Sequence, residues 1–119
     1  MSERVQIITH KGHKIMFADT SNLKPAEIVD LIHASTQPML AEKITLLCTD
    51  VTNTTTDDSI KKAAAESLAK VTAANGKVHS CIVGIRGIQK IIASAIVRDT
   101  YFPSSKEDAL DWLVKQAEK

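Results

Sequence analysis

Two apolar stretches, ITLLC at residues 44–48 and VHSCIVG at residues 78–84, decide the fold of this 119-residue chain. Both are apolar at successive positions, as in a strand that is covered on both faces of its sheet. A run with helical spacing separates them; it follows the acidic pair Asp57-Asp58 and ends at Asn75-Gly76. Two strands joined through a helix predict a right-handed crossover between parallel neighbours. The apolar face predicted for this helix consists of Ile60, Ala64, Ser67, Leu68 and Val71.

The residues before this unit predict a hairpin and a first helix. Two β-like runs, residues 5–10 and 14–18, flank Lys11-Gly12, where glycine supplies the positive φ of a tight turn. Pro25 stands in the first turn of the helix, and Pro38 is predicted to end it. The buried stripe predicted for this helix consists of Ile28, Leu31 and Ile32.

The residues after the second apolar stretch predict two more helices and a short strand. An extended piece at residues 100–102 is closed by Pro103, and Ser104 with Glu107 has the form of a capping box. The chain is therefore predicted to be one α/β domain over residues 1–119. It has a single mixed sheet of four to five strands, with an N-terminal hairpin, parallel central strands and about four helices. The apolar residues predicted for the third helix are Ile88, Ile91, Ile92, Ala95 and Ile96.

Charge and composition exclude several classes of protein. The chain has 15 Lys and Arg against 14 Asp and Glu, a net charge of +1, which lacks the electrostatic footprint of a nucleic-acid-binding protein. No apolar run approaches the ~20 residues that span a bilayer, so we expect no stable membrane insertion. Cys48 and Cys81 lie inside the two apolar stretches and are predicted to be buried, reduced thiols, which fits a cytoplasmic protein.

Three segments carry a family resemblance: LLCTDVT at 46–52, IVGIRGIQK at 82–90 and FPSSKEDALDWL at 102–113. In order and spacing they resemble the SpoIIAA-like, or STAS, family, and in particular small bacterial proteins with STAS or CRAL-TRIO-like domains. The resemblance implies a SpoIIAA-like sheet and a regulatory role. STAS proteins act as partner switches, in which a serine of an Asp-Ser-Ser-Gly motif after the third strand is phosphorylated. Here that position reads Asp50-Val51-Thr52-Asn53, which keeps the acid and lacks Ser-Ser-Gly.

The fold class also predicts where a ligand would bind, because open α/β sheets hold ligands outside the carboxyl ends of their parallel strands. These ends carry residues 50–56 and residues 84–87, and the second segment leads into the third predicted helix. Backbone N–H groups at that helix start, with Arg86 and Lys90, would suit a small anion or a carboxylate head group. In the alternative interpretation, the glycines only permit the turn and Arg86 pairs with Asp50. The candidate ligand-binding residues are Asp50, Thr52, Asn53, Thr54, Arg86, Gly87, Lys90 and Trp112.

Catalytic and metal chemistry are not indicated. His10 and His13 flank the predicted turn without a third ligand nearby, so we predict no metal site. The spacing Gly-x-x-Gly falls far short of a nucleotide-binding motif, and we predict no cofactor. Neither an activated cysteine nor a Gly-x-Ser-x-Gly elbow is evident, so no catalytic residue is assigned and the protein is not expected to be an enzyme.

Two functions stay open at this point. The first is a non-catalytic binding domain that holds a small amphipathic ligand, with its head near Arg86 and its apolar part toward Trp112; the CRAL-TRIO likeness also implies a small apolar ligand. The second is a STAS-type partner-switch or scaffold protein that contacts a regulatory protein through residues 50–56, where a threonine could be phosphorylated. Tyr101, Phe102 and Trp112 either pack the last helix or form an apolar groove or self-association surface, and the chain is small enough for a homodimer to complete its burial.

Overall fold

The computed structural model describes residues 4–54, 57–84, 100–101, 103 and 105–118. The described elements are β1 (Val5–His10), β2 (His13–Asp19), α1 (Pro25–Ala41), β3 (Leu46–Asp50), α2 (Asp58–Asn75), β4 (His79–Val83), β5 (Thr100–Tyr101) and α3 (Lys106–Ala117). The strands form one sheet in the order β1-β2-β3-β4-β5, antiparallel between β1 and β2 and parallel elsewhere. This mixed sheet confirms the predicted fold class. None of the described helices has the length and apolar character needed to cross a membrane.

The sheet is covered on both faces, and alternate residues of each strand supply the two cores. On one face, α3 buries Leu113 against Cys48 and Cys81. On the other face, α1 buries Met39 in a core that contains Met16. The predicted burial of both cysteines is confirmed. Desolvation raises the pKa of the Cys48 thiol to about 11 and that of Cys81 to about 12, so neither is an activated nucleophile.

The hairpin between β1 and β2 is confirmed. Its turn consists of Lys11 and Gly12, with φ of 51° and 84°. Two consecutive residues in the left-handed region match the right-handed twist of the flanking strands, and glycine adopts that region without steric cost.

The prediction that Pro38 ends α1 is wrong, because the helix continues to Ala41. A proline inside a helix removes one N–H donor and crowds the preceding turn. The additional turn is retained because it places Met39, only 2% exposed, in the core. The Asn75 side-chain amide also donates to the carbonyls of Met39 and Ile44, at 2.9 and 3.2 Å, and so joins the end of α1 to the segment before β3.

The predicted apolar face of α2 is wrong in part. Ala63 and Val71 are buried and Ser67 is half-buried, whereas Ala64 is exposed and Leu68 is 40% exposed. The reason is that α2 packs against α1, where Thr36 and Ser67 share a hydrogen bond of 2.5 Å between their hydroxyls. Among the described residues, Ala63, Ser67 and Val71 recur at four-residue spacing, so the covered stripe is narrower than the predicted face.

The N-cap of α3 lies one residue later than predicted. The hydroxyl of Ser105 accepts the N–H of Asp108 at 3.2 Å. Two adjacent serines followed by the two adjacent acids Glu107 and Asp108 fit a capping motif in either register, so the sequence pattern does not decide between them. The helix predicted from Ile88 to Ile96 lies outside the described residues.

Candidate functional site

Two turns with the same sequence form, Asp-x-Ser/Thr-Asn, lie side by side at the carboxyl ends of β2 and β3. Residues 19–22 read DTSN and residues 50–53 read DVTN. Asp19 and Asp50 are register partners on neighbouring parallel strands, so the two turns leave the sheet at the same level. We call residues 19–22 together with residues 50–54 the carboxyl-edge face.

Each turn is closed by its own aspartate. The Oδ1 atom of Asp19 accepts the backbone N–H of Ser21 at 3.0 Å and the Ser21 hydroxyl at 2.5 Å. The Oδ1 atom of Asp50 accepts the N–H of Thr52 at 2.9 Å and the Thr52 hydroxyl at 2.7 Å. Aspartate favours such turns because its short carboxylate reaches the backbone two residues ahead. The turns are therefore ordered by hydrogen bonds within the chain.

Further hydrogen bonds join the two turns to each other. Thr20 is 1% exposed, and its N–H and hydroxyl both donate to the carbonyl of Asp50, at 2.9 and 2.6 Å. The N–H of Asn22 donates to the carbonyl of Thr52 at 2.9 Å, and the side-chain amide of Asn53 donates to Oδ1 of Asn22 at 3.0 Å. Both asparagines have left-handed backbones, with φ of 63° and 55°, a region that asparagine tolerates better than most residues. The two turns thus form one rigid surface.

Gly84, directly after β4, supports this surface from its other side. Its φ is +87°, and a Cβ atom on it would collide with the Thr52 hydroxyl and lie 2.8 Å from the Thr52 nitrogen and 3.0 Å from Oδ1 of Asp50. The N–H of Val51 also donates to the carbonyl of Val83 at 2.9 Å. The end of β4 therefore packs against the turn that follows β3 without room for a side chain.

Positive charge stabilises the turn that follows β2. Arg4 donates from its guanidinium to the carbonyls of Asp19 and Ser21, at 3.2 and 2.9 Å, and lies 3.7 Å from the Asp19 carboxylate. Burial alone would raise the pKa of Asp19. The hydrogen bonds from Ser21 and the charges of Arg4 and Lys106 outweigh burial and hold the pKa below its usual value of about 3.8.

We predict from this that Asp19→Asn lowers stability at neutral pH and has a smaller effect in acid. A carboxylate whose pKa is lower in the folded chain adds stability above its unfolded pKa, and this stability is lost as the pH falls through the folded pKa. Urea unfolding of both proteins between pH 6 and pH 3 measures the difference, which should shrink below pH 4. Asp30→Asn, which removes an exposed carboxylate of α1, controls for the change in net charge. A difference that stays constant over this range would contradict the prediction.

Four of the predicted site residues, Asp50, Thr52, Asn53 and Thr54, lie together on the carboxyl-edge face. Their hydroxyl and amide groups were expected to donate to a ligand, yet they donate within the surface; the Thr54 hydroxyl, for example, donates to the carbonyl of Val51 at 2.6 Å. The predicted ligand contacts at Arg86, Gly87 and Lys90 lie outside the described residues.

The remaining predicted residue, Trp112, lies near the amino end of β4, away from the carboxyl ends of the strands. It packs partly buried against the α3 core, and its ring forms an edge-to-face contact with His79, with 6.3 Å between centroids. His79 is the first residue of β4, whereas Asp50 pairs with Val83 at the end of β4. Four residues along a strand correspond to about 13 Å, so the structure does not bring Trp112 to the carboxyl edge.

Sequence reasoning missed the turn at residues 19–22 and the close packing of Gly84. Residues 19–22 received no site assignment from the sequence, because the parallel pairing of β2 with β3 was not predicted. The repeated form Asp-x-Ser/Thr-Asn after two apolar strands is the signal that could have identified both turns.

A cleft lies elsewhere, between α1 and α2. It has a volume of about 190 Å³ and is lined by His33, Thr36, Gln37, Leu40, Glu66, Ser67 and Lys70, none of which was a predicted site residue. Within the described part of the chain, no three His, Cys, Asp or Glu side chains converge as metal ligands would. The histidines at the hairpin instead face acids of α3 and the residue after it: His10 lies 2.7 Å from Asp111, and His13 lies 4.0 Å from Glu118.

Comparison with known proteins identifies the fold. No protein-family model matches the chain, and no curated protein matches it. Among solved structures, RsbS of Moorella thermoacetica, in a form with a serine-to-glutamate substitution, superposes with a TM-score of 0.68. The match covers 98% of this chain and 100% of RsbS, a STAS-domain protein, at 13% sequence identity.

This chain has the STAS fold. The SpoIIAA-like architecture implied by the sequence resemblance is thereby confirmed, while an identity of 13% limits the likeness to the fold. In this STAS fold, the carboxyl-edge face combines the turn after β3 with the turn after the neighbouring strand β2.

Proposed function

We propose that this chain is a regulatory protein of the partner-switch type, which binds another protein through the carboxyl-edge face. The proposal rests on one observation. Each turn of the carboxyl-edge face is closed by internal hydrogen bonds, and further hydrogen bonds join the two turns. A surface that is ordered before binding loses little conformational entropy when a partner docks. The STAS fold supports a regulatory role, because STAS proteins, which this chain resembles, act through contacts with other proteins.

Two observations on the described residues support a protein partner. Ligand pockets are commonly about 300–1,000 Å³ in volume, and the described cleft is smaller and lies between α1 and α2. On the carboxyl-edge face, the side chains of Asn22 and Asn53 are exposed in fixed positions. Each amide retains further donor or acceptor capacity, which suits hydrogen bonds to the main chain of a docked protein.

We propose that partner binding at the carboxyl-edge face is not regulated by phosphorylation of Thr52. The hydroxyl of Thr52 donates to the Asp50 carboxylate, so a phosphate in its place would lie next to a negative charge and remove a hydrogen bond that orders the turn. Intact-mass measurement of the protein isolated from its source cells, followed by peptide mapping, tests for phosphate on Thr52 or Thr54.

The experiment that tests the proposal compares capture of proteins by the wild-type chain and by Asn53→Lys. The tagged chain is incubated with an extract of its source cells, and the captured proteins are quantified by mass spectrometry. Asn53 is exposed, and Lys11 and Lys43 already adopt φ of 51° and 55° in this chain, so lysine is compatible with the backbone at residue 53. We expect the recovery of a specific partner to fall about tenfold, which corresponds to about 1.4 kcal/mol of binding free energy.

The matched control is Gln37→Lys, which also converts an exposed amide to an ammonium group but lies in the cleft between α1 and α2. The partner should be recovered equally with this variant and with the wild type. Equal recovery with Asn53→Lys, or loss only with Gln37→Lys, would contradict the proposal.

The small-ligand hypothesis is tested with the same preparation. Native mass spectrometry of the protein purified without denaturation, compared with the denatured sample, would show a bound small molecule as excess mass. A retained compound that is lost from Arg86→Ala would favour the ligand-binding domain over the partner switch.

A further inference from the structure

The strand β1 forms the outer edge of the described sheet on the hairpin side. The N–H of Asp19 donates to the carbonyl of Arg4 at 2.8 Å, so Arg4 and Asp19 are a directly hydrogen-bonded pair. Along an antiparallel ladder, such pairs alternate with pairs that are not hydrogen-bonded. By this alternation, the main-chain groups of Gln6, Ile8 and His10 face β2, and those of Val5, Ile7 and Thr9 face away from the sheet.

The sequence of β1 lacks the residues that usually prevent strand pairing. The six residues of β1 read VQIITH and contain neither a proline nor a lysine, arginine or acidic side chain. Proteins commonly protect their edge strands with such residues or by making the strand very short. At the opposite edge, β5 consists of two residues.

We propose that β1 pairs with β1 of a second copy of this chain, antiparallel and about a two-fold axis at Ile7. In this register Ile7 lies opposite Ile7 of the other copy, and Val5 lies opposite Thr9. The outward N–H and C=O groups of these three residues then form about six hydrogen bonds, because each directly hydrogen-bonded pair contributes two. The two sheets continue into each other, and the interface is self-complementary, as two-fold symmetry requires.

The side chains fit the same register. Ile7 is half-buried on the α1 face and meets its own copy. On the α3 face, Gln6 lies opposite Ile8, and neither side chain is charged.

The charged side chains at the two ends of the pairing have partners within their own copy. Arg4 lies opposite His10 of the other copy, on the face of the sheet that α3 covers. His10 lies 2.7 Å and Lys11 3.1 Å from the Asp111 carboxylate of α3, and Arg4 donates to the carbonyls of Asp19 and Ser21 of its own chain. This pairing uses no residue of the carboxyl-edge face, and it is independent of the proposed function.

One pair of six-residue strands buries less area than a standard protein interface, so the dimer is expected to be weak and concentration-dependent. A disulfide trap detects it. Under mild oxidation, Ile7→Cys should form a covalent dimer, because directly hydrogen-bonded partners have Cα atoms about 5.5 Å apart, within the range of a disulfide. Cys48 and Cys81 are buried and do not compete.

Thr9→Cys is the matched control on the same edge. In the proposed register its own copy lies about 14 Å away along the strand, so it should cross-link at least tenfold less than Ile7→Cys. If Ile7→Cys fails to fold, as judged by circular dichroism, mixing Gln6→Cys with Ile8→Cys gives the second test. The mixture should form a covalent heterodimer that neither protein forms alone. Equal cross-linking of Ile7→Cys and Thr9→Cys, or no heterodimer in the mixture, would overturn the pairing.

Discussion

Gly84→Ala is expected to lower the free energy of unfolding by about 2–5 kcal/mol, combining a left-handed backbone cost with overpacking. The φ of Gly84 is +87°, a conformation that strains any residue with a Cβ atom. The added methyl group would also collide with the Thr52 hydroxyl and backbone nitrogen. Since Thr52 is held by the Asp50 carboxylate, the turn after β3 can move away only by breaking its own hydrogen bonds.

Gly76→Ala separates the two causes. Gly76 has a φ of +97°, but a Cβ atom there meets no other atom within 4 Å. With ψ of −169°, its backbone lies in a region that essentially only glycine adopts, so its replacement should cost only the backbone term, about 1–3 kcal/mol. Urea unfolding of the wild type and both variants measures the difference, and partner capture should be reduced for Gly84→Ala alone. Equal destabilisation by the two substitutions would show that Gly84 does not pack against the turn as described.

Leu113→Ala is expected to lower the free energy of unfolding by about 3–4 kcal/mol, within the range for buried leucines. Leu113 is 0% exposed and belongs to the core that contains Cys48 and Cys81. Truncation leaves a cavity between α3 and the two central strands, which regular strands cannot close by a small shift.

Leu68→Ala provides the control for this prediction, because Leu68 is 40% exposed on α2. Its truncation should change stability by no more than about 0.5 kcal/mol, as for most surface positions. Thermal or urea unfolding monitored by circular dichroism gives both values. A loss at Leu113 no larger than that at Leu68 would mean that α3 is not packed on the sheet as the structure shows.

The central part of the fold could be predicted from sequence because its signals are local. The stretches 44–48 and 78–84 are apolar on both faces, and the hairpin has glycine in its turn. A helix between two buried strands then leaves essentially one handedness of crossover. These features follow from short segments and a general rule of chain topology.

The predictions that were wrong concern features that depend on contacts between residues far apart in the sequence. The last turn of α1 persists beyond Pro38 because Met39 is buried and Asn75 binds its carbonyl. Leu68 is exposed because α2 packs on α1. Neither fact can be read from the spacing of apolar residues within one helix.

The sequence indicated one of the two turns that form the carboxyl-edge face. The rule that sites lie at the carboxyl ends of parallel strands found residues 50–54. It could not find residues 19–22, because the hairpin gave no sign that β2 also runs parallel to β3. Trp112 was included for its residue type, but it packs against His79, which lies about 13 Å along β4 from Val83, the register partner of Asp50.

The measurement that tests the carboxyl-edge face most directly is a nitrogen-15 NMR titration of the labelled chain with a captured partner. The side-chain amide groups of Asn22 and Asn53 give resolved signals that report contact at this face. We predict that these signals and the backbone amides of Ser21 and Thr52 shift or broaden, while those of Gln37 and Lys70 in the α1–α2 cleft stay unchanged. Changes confined to the cleft, with Asn22 and Asn53 unaffected, would contradict the account.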